Sequence, residues 1–380
     1  MLRDYELPDH PAPILVQLGL TYRCNLKCQH CYALYRRDLN EMTFDELSRL
    51  LADLYAMGSC AIVYSHGENL IRKDFYNFAS LVNNYGMYQT LMTNGFYIRT
   101  KESAERLRDT GINRVLVSLD SSVPAEHDAS RGYEGAYYIA LDAAQMLKQV
   151  GIATVGFSTT IDAYNYDRIP DIIQIAKDFG LDAVSLMQNR YNRPGVFDRN
   201  QWIRYVQVCR QVYELILQNR GIIDIYTHDP FMLIMLDDRL DDRHARIDYI
   251  GANVCNVATN MISIDPIGNV TGCNFLEEVV GNVRTEPLGV IWERLVQRYS
   301  DSRNKPGGPC ESCTATAVCM GGCKAFHYNG KYDERCGERR FGEEKPHNRT
   351  PLMLPLYPTN PLHSAPGIFR GRMASSRDNA

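Results

Sequence analysis

Nowhere in these 380 residues does an apolar run approach the roughly 18–20 residues that crossing a bilayer requires. A secretion signal is missing too, because Pro8, Pro11, Pro13 and several charges occupy the stretch that would have to be apolar. There is no internal repeat and no basic stripe interleaved with aromatics, and a formal net charge of −4 offers nucleic acid little to bind. These absences describe a soluble cytoplasmic protein with neither a membrane nor a nucleic acid as partner. Apolar residues make up 45% of the chain, enough for one large domain and a smaller one.

Cysteine, by contrast, is plentiful. Twelve in a large chain without a signal argue for metal binding over a disulfide framework. Ten of the twelve fall in two regions, 24–31 and 255–336, while Cys60 and Cys209 stand apart.

After a Pro-rich lead (1–13), residues 14–20 read as a buried strand. Thr43 with Glu46 three residues on is a capping box that opens a helix. A strand at 60–65, a helix at 73–85, a strand at 89–93, a helix at 102–110 and a strand at 114–120 follow. Ala136, Ile139, Ala140, Ala143, Leu147 and Val150 then share one helical face. A strand at 152–161, helix at 168–179, strand at 182–188 and helix at 201–219 complete the series. Six alternations predict an α/β fold, a parallel sheet curved into a partial (β/α)6, TIM-like barrel over 14–220. In such folds active residues sit at the carboxyl ends of the strands. A connector (221–250) leads to a cysteine-rich region (251–340). There MISIDPIGNVTGCN (261–274) reads as a β-hairpin turning at Pro266, Ile267, Gly268 and Asn269. Residues 341–380 read as a Pro-rich, extended tail.

The segment TYRCNLKCQHCY places Cys24, Cys28 and Cys31 in C-x3-C-x2-C spacing just past the first strand. Three thiolates can hold three irons of a [4Fe–4S] cube and leave the fourth iron open. On spacing alone zinc is the alternative; it usually wants a fourth ligand, and His30, beside Cys31, is poorly placed to be one. This segment resembles the radical SAM superfamily, whose motif is C-x3-C-x-Φ-C with an aromatic at Φ, the place His30 fills. The resemblance covers roughly 14–220. SHGENL (65–70) matches the family's GGEP-type segment, which receives the methionine amino group, so the resemblance implies cofactor-binding roles for Gly67 and Glu68. His66 stands where the family has its first Gly, and Asn69 where it has Pro. His66 thus becomes a candidate catalytic base near the substrate, or a solvated rim histidine. TNG (93–95) and SLD (118–120) match the third and fourth strand ends, implying that Ser118 and Asp120 approach the ribose. HDASRG (127–132) supplies Arg131, implied to pair with the SAM carboxylate, for which a guanidinium fork is suited. The activity implied is reductive cleavage of S-adenosylmethionine, in which a 5′-deoxyadenosyl radical takes hydrogen from a substrate and a flavodoxin- or ferredoxin-type protein supplies the electron.

The later cysteines are spaced Cys255-x12-Gly268-x4-Cys273, then Cys310-x2-Cys313-x5-Cys319-x3-Cys323, then Cys336 after twelve intervening residues. This pattern resembles the SPASM domain, a cysteine-rich module that carries two auxiliary clusters. The resemblance implies three [4Fe–4S] clusters in all. It assigns Cys310, Cys313, Cys319 and Cys336 to the outer auxiliary cluster and Cys255, Cys273 and Cys323 to the inner one. Some relatives have an eighth cysteine; here the inner cluster has an open iron or another ligand, for which Asp265 is a candidate. Both clusters are structural cross-links or electron acceptors. An acceptor would let a substrate radical lose a second electron.

A radical epimerase needs a thiol hydrogen donor. Cys60 begins its strand roughly 20 Å from the catalytic end. Cys209 falls in the helical stripe Trp202, Val206, Cys209, Tyr213 and Ile216. Cys60 is too far for hydrogen transfer and Cys209 reads as a small core hydrophobe, which favours net oxidation over epimerisation. Only about thirteen residues precede the first strand, so no leader-binding winged helix is expected, which favours a small molecule over a peptide. The resulting expectation is dehydrogenation of a secondary alcohol in an aminocyclitol- or aminoglycoside-like metabolite of antibiotic biosynthesis. A ribosomal-peptide maturase, an epimerase and a tetrapyrrole side-chain enzyme stand as alternatives.

Overall fold

The computed structural model describes residues 12–33, 40–162, 164–189, 199–227, 255–304, 308–312, 321–328 and 332–333, with backbone alone at 199–206, 209, 300–304, 309, 312, 326–328 and 332–333. Strand β1 (Leu15–Gly19) is followed by alternating helices and strands: α1 (Phe44–Ala56), β2 (Ala61–Ser65), α2 (Phe75–Asn84), β3 (Tyr88–Thr93), α3 (Lys101–Arg108) and β4 (Arg114–Ser118). Next come α4 (Pro124–Arg131), α5 (Ala136–Gln149), β5 (Thr154–Ile161), α6 (Ile169–Asp178), β6 (Ala183–Gln188), α7 (Arg199–Gln218) and β7 (Asp224–Thr227). Strands β1 to β7 pair in parallel with their sequence neighbours. The sheet is a partial barrel, with helices packed on its outer face.

Local chemistry accounts for these elements. The Thr43 hydroxyl accepts from Glu46 N while the Glu46 carboxylate accepts from Thr43 N, the expected capping box. Leu47, Leu50, Leu51 and Leu54 of α1 are buried against the sheet, each stabilising it by roughly 1.5–3 kcal/mol. On α5 the buried stripe is Ala136, Tyr137, Ala140, Ala143, Ala144 and Leu147. It is rotated slightly from the expected face, so Ile139 lies at its margin. A Cβ on Gly95 would stand 2.9 Å from Ala143 Cβ, so the TNG glycine is what lets α5 approach the end of β3.

Two features extend the barrel beyond its expected limits. Strand β7 falls inside the stretch expected as a connector and pairs with β6 from Ala183↔Asp224 to Leu186↔Thr227. Strands β8 (Met261–Ile264) and β9 (Asn269–Thr271) form the expected hairpin, with Gly268 at φ 89° in its turn. But β8 also pairs in parallel with β1, from Leu15↔Met261 to Leu18↔Ile264, and β10 (Gly281–Asn282) pairs with β9. The cysteine-rich region therefore shares the barrel's sheet and covers the edge of β1 that would otherwise expose unpaired backbone. Helix α8 (Leu288–Asn304) follows, with Leu288, Ile291, Trp292, Leu295 and Tyr299 buried. Residues 341–380, expected as a tail, lie outside the described residues, as does most of 221–254.

Candidate radical and cluster site

The chain leaves β1 through Leu20–Thr21–Tyr22 and enters the loop of Cys24, Cys28 and Cys31. Gly67 N donates to Thr21 O and Glu68 N to Arg23 O, both at 2.9 Å, so the segment after β2 runs beside this loop. A Cβ on Gly67 would lie 2.4 Å from Arg23 O, and only glycine fits. From the other side the loop rests on the end of α4, where Gln29 N donates to Ser130 O at 2.9 Å. A Cβ on Gly132 would come within 2.9 Å of Lys27 O.

Donors surround the thiols. Leu26 N (3.5 Å) and Asn94 Nδ2 (3.8 Å) point at Cys24 Sγ, and an Arg131 guanidinium nitrogen at Cys28 Sγ (3.8 Å). At Cys24 burial outweighs the Leu26 N–H and raises the thiol pKa to about 11, so the thiolate that an iron cluster requires would come with ligation. Among the described residues no three Cys, His, Asp or Glu side chains converge closely enough to hold a single metal ion. His30 turns away, toward Ser130 Oγ (3.3 Å) and Asp120 Oδ2 (3.8 Å), and burial lowers its pKa to about 4.

Glu68 is 2% exposed and accepts from Thr93 Oγ1 (3.0 Å), Asn94 N (2.9 Å) and Leu70 N (3.3 Å). Burial nonetheless raises its pKa to about 7, because these donors do not replace the water it lost. Asn69, in the place of the family's Pro, is fully buried; its Oδ1 accepts from Leu20 N (3.1 Å) and its Nδ2 donates to Ser65 O (3.0 Å). It clamps β1 to the end of β2.

Asp120, expected near a ribose, is engaged by protein groups. Asp120 is 1% exposed, takes Thr160 N on Oδ1 (3.0 Å) and is ion-paired with Arg131 Nε on Oδ2 (2.7 Å). Burial opposes its charge, but Arg131, His30 and His127 outweigh it and hold the carboxyl at about 2. Helix α4 brings these two groups together, and Asp120 serves to orient the guanidinium whose other end faces Cys28. Ser118, at the end of β4, is half-exposed on the inner face.

His66 is partly exposed but held in place. It adopts φ 74°, packs edge-on between Tyr22 and Tyr32 with each ring centroid 5.6 Å away, and places Nδ1 3.1 Å from Ser65 Oγ. The close approach exists because Gly19 has no side chain: a Cβ there would lie 2.6 Å from His66 Nδ1.

Inside the barrel one residue on each of six strands is partly exposed between two buried neighbours: Gln17, Val63, Met92, Ser118, Thr160 and Met187. They form one row across the inner face of the sheet. None is charged.

Of the auxiliary cysteines, Cys255 and Cys273 are half-buried beside the core, and Cys310 and Cys323 are buried. Cys313, Cys319 and Cys336 lie outside the described residues, as does the Cys209 side chain. Asp265 is excluded as a cluster ligand. Its carboxylate accepts from Ile267 N (3.0 Å), Asn269 N (2.8 Å), Asn269 Nδ2 (3.0 Å) and Tyr22 OH (2.8 Å), holding the hairpin turn. Cys60 points away from the site, with Sγ 3.8 Å from Ile14 O. Sequence reasoning missed Tyr32 and Asn274, each the neighbour of a cluster cysteine. Asn274 Nδ2 donates to Tyr32 OH at 2.9 Å, so one hydrogen bond separates the residue after Cys31 from the residue after Cys273.

The comparisons agree with this geometry. The family model described as the radical SAM superfamily matches residues 18–176, and that of the SPASM iron–sulfur cluster-binding domain matches 255–314. The Fe-coproporphyrin III synthase of Methanosarcina barkeri is 30% identical, with 83% of this chain and 86% of that protein covered. The mycofactocin maturase of Mycolicibacterium smegmatis is 25% identical, with 83% and 79% covered. SuiB of Streptococcus suis, solved with S-adenosylmethionine bound, shares the fold with a TM-score of 0.68 at 18% identity, over 85% of this chain and 76% of that one. The chain is therefore a member of the radical SAM superfamily with a SPASM domain, an enzyme whose cofactors are S-adenosylmethionine and catalytic and auxiliary [4Fe–4S] clusters.

Proposed function

We propose that the protein is a radical oxidase that dehydrogenates a secondary alcohol in a small, hydroxyl-rich metabolite. The observation that carries this reading is the hydrogen bond from Asn274 to Tyr32, which sets Cys31 and Cys273 on either side of one contact. Loaded, the clusters and SAM would supply reductive C–S cleavage, a radical that takes a hydrogen atom from the carbinol carbon, and a sink for the electron left there.

The chain's own residues do the rest. Cys24, Cys28 and Cys31 would hold the catalytic cluster, and Cys255, Cys273 and Cys323 the inner auxiliary one. Glu68 would receive the methionine ammonium, and Arg131 would face its carboxylate while held by Asp120. The carbinol then gives up its hydroxyl proton as the carbonyl forms. Ser65 lies on the inner face of β2 beside His66 Nδ1, and this pair would carry that proton away. A flavodoxin- or ferredoxin-type donor would deliver the initiating electron.

Among the described residues this inner-face row carries no charge, which favours a neutral substrate. A second reading, oxidation of a tetrapyrrole side chain, is favoured by the identity to Fe-coproporphyrin III synthase and by AdoMet-dependent heme synthase of Methanosarcina barkeri at 26%. Anaerobic incubation with SAM, reductant and separate panels of aminocyclitols, coproporphyrin and peptides decides between them. Loss of two hydrogens from a polyol supports the lead reading. Unchanged mass with solvent deuterium incorporated means epimerisation, and deoxyadenosine formed only with coproporphyrin or a peptide overturns the small-molecule assignment.

A further inference from the structure

Tyr32 OH sits at the centre of a short chain of hydrogen bonds. It accepts from His66 N at 2.8 Å and from Asn274 Nδ2 at 2.9 Å. The other end of the Asn274 amide, Oδ1, accepts from Cys273 Sγ at 3.3 Å, and Asn274 N is fixed by Gln17 Oε1 at 3.1 Å. Edge contacts lock the Tyr32 ring between His66 and Phe275, at 5.6 and 5.1 Å between ring centroids.

This arrangement suits a protonated Cys273, whose S–H can donate. As a cluster ligand Cys273 is a thiolate, has no hydrogen and would repel Oδ1. A carboxamide has the same shape with its oxygen and nitrogen exchanged, so the contacts survive with their polarity reversed. Asn274 Nδ2 then donates to the thiolate, Asn274 Oδ1 accepts from Tyr32 O–H, and Tyr32 still accepts from His66 N. The dipoles of this chain then point from the His66 peptide toward the sulfur, with Ser65 joining at Tyr32 from the side. Hydrogen bonds in such a chain strengthen one another.

We infer that Asn274 and Tyr32 are positioning residues that tune the inner auxiliary cluster and couple it to the SAM-receiving segment His66–Gly67–Glu68. The inference rests on Cys273 being a ligand of that cluster. A donor to a ligating sulfur stabilises the reduced state and raises the potential. Because the chain begins at the peptide two residues before Glu68, occupancy of the SAM site acts on the same bond.

The test is a mediated redox titration followed by electron paramagnetic resonance. In protein with Cys24, Cys28 and Cys31 all changed to Ala, only auxiliary signals remain. Asn274→Asp, which keeps shape but cannot donate, should move one auxiliary potential clearly negative and leave the other in place. Tyr32→Phe should move the same one by less. In the intact enzyme, SAM should shift that potential in the parent and not in Tyr32→Phe. Asn274→Leu repeats the first arm without adding charge. Unchanged auxiliary potentials in both Asn274 variants, or a SAM-induced shift that survives Tyr32→Phe, would overturn the inference. The oxidase reading fails separately, if the product proves redox-neutral whatever the potentials.

Discussion

Replacing Glu68 with Gln isolates the chemistry of the carboxylate proposed to receive SAM. Glu68 is enclosed by Thr93, Asn94 and Leu70, and burial raises its pKa to about 7. An arriving ammonium must find it ionised. Below pH 7 binding therefore first requires losing a proton, and SAM affinity at pH 5.5 should be roughly 30-fold weaker than at pH 8. Gln keeps the shape and most of the hydrogen bonds but leaves a buried cation unpaired, which costs about 3 kcal/mol, or roughly 150-fold in affinity. Its weakened binding should no longer vary with pH across this range. The SAM-free protein responds in the opposite sense. A carboxyl whose folded pKa exceeds its unfolded one binds more protons when folded, so stability falls as pH rises from about 4.5 to about 7. Above that window the cost is complete, about 3 kcal/mol. Glu68→Gln should thus melt higher than the parent at pH 8 without SAM, the gap closing toward pH 4.5. Isothermal titration of SAM into reconstituted protein, with thermal melts of the SAM-free form, reads both effects. Parent-like affinity in the variant at pH 8, or a parent affinity flat from pH 5.5 to 8, would refute the assignment.

Gly67→Ala drives a methyl into the Arg23 carbonyl, so the cysteine loop should part from β2, and iron retained per chain after reconstitution should fall by about the catalytic cluster's share. Arg131→Lys replaces a fork that spans Asp120 and Cys28 with a point charge; SAM binding should weaken about tenfold, with an altered resonance signal from the catalytic cluster. Cys60→Ser should leave deoxyadenosine formation and product mass unchanged, since the thiol lies against Ile14 at the amino end of its strand.

Much of this architecture was legible because periodicity and capping are local. The α1 capping box needs only Thr43 and Glu46, and each barrel strand is a short apolar run between helices. Strand β7 was missed because four residues with Ile225 as their buried hydrophobe carry no readable period. Helix α8 was there to be read in Leu288, Ile291, Trp292, Leu295 and Tyr299. The pairing of β8 with β1 joins segments some 246 residues apart, which no local signal encodes. The candidate site divides in the same way. Spacing picks out the cysteines and the family resemblance implies Gly67 and Glu68, whereas the partnership of Asp120 with Arg131 depends on the turn of α4. Asp265 illustrates the converse: an acidic residue in a cluster domain is claimed by its own hairpin turn through Ile267 and Asn269.

The central claim is that Cys24, Cys28 and Cys31 hold the cluster at which SAM is cleaved. The direct measurement is 5′-deoxyadenosine formed anaerobically from SAM and dithionite by the reconstituted parent and by Cys24→Ala. The account predicts deoxyadenosine and methionine in equal amounts from the parent and none from the variant, whose auxiliary iron is retained. Deoxyadenosine from Cys24→Ala at the parent's rate would contradict it.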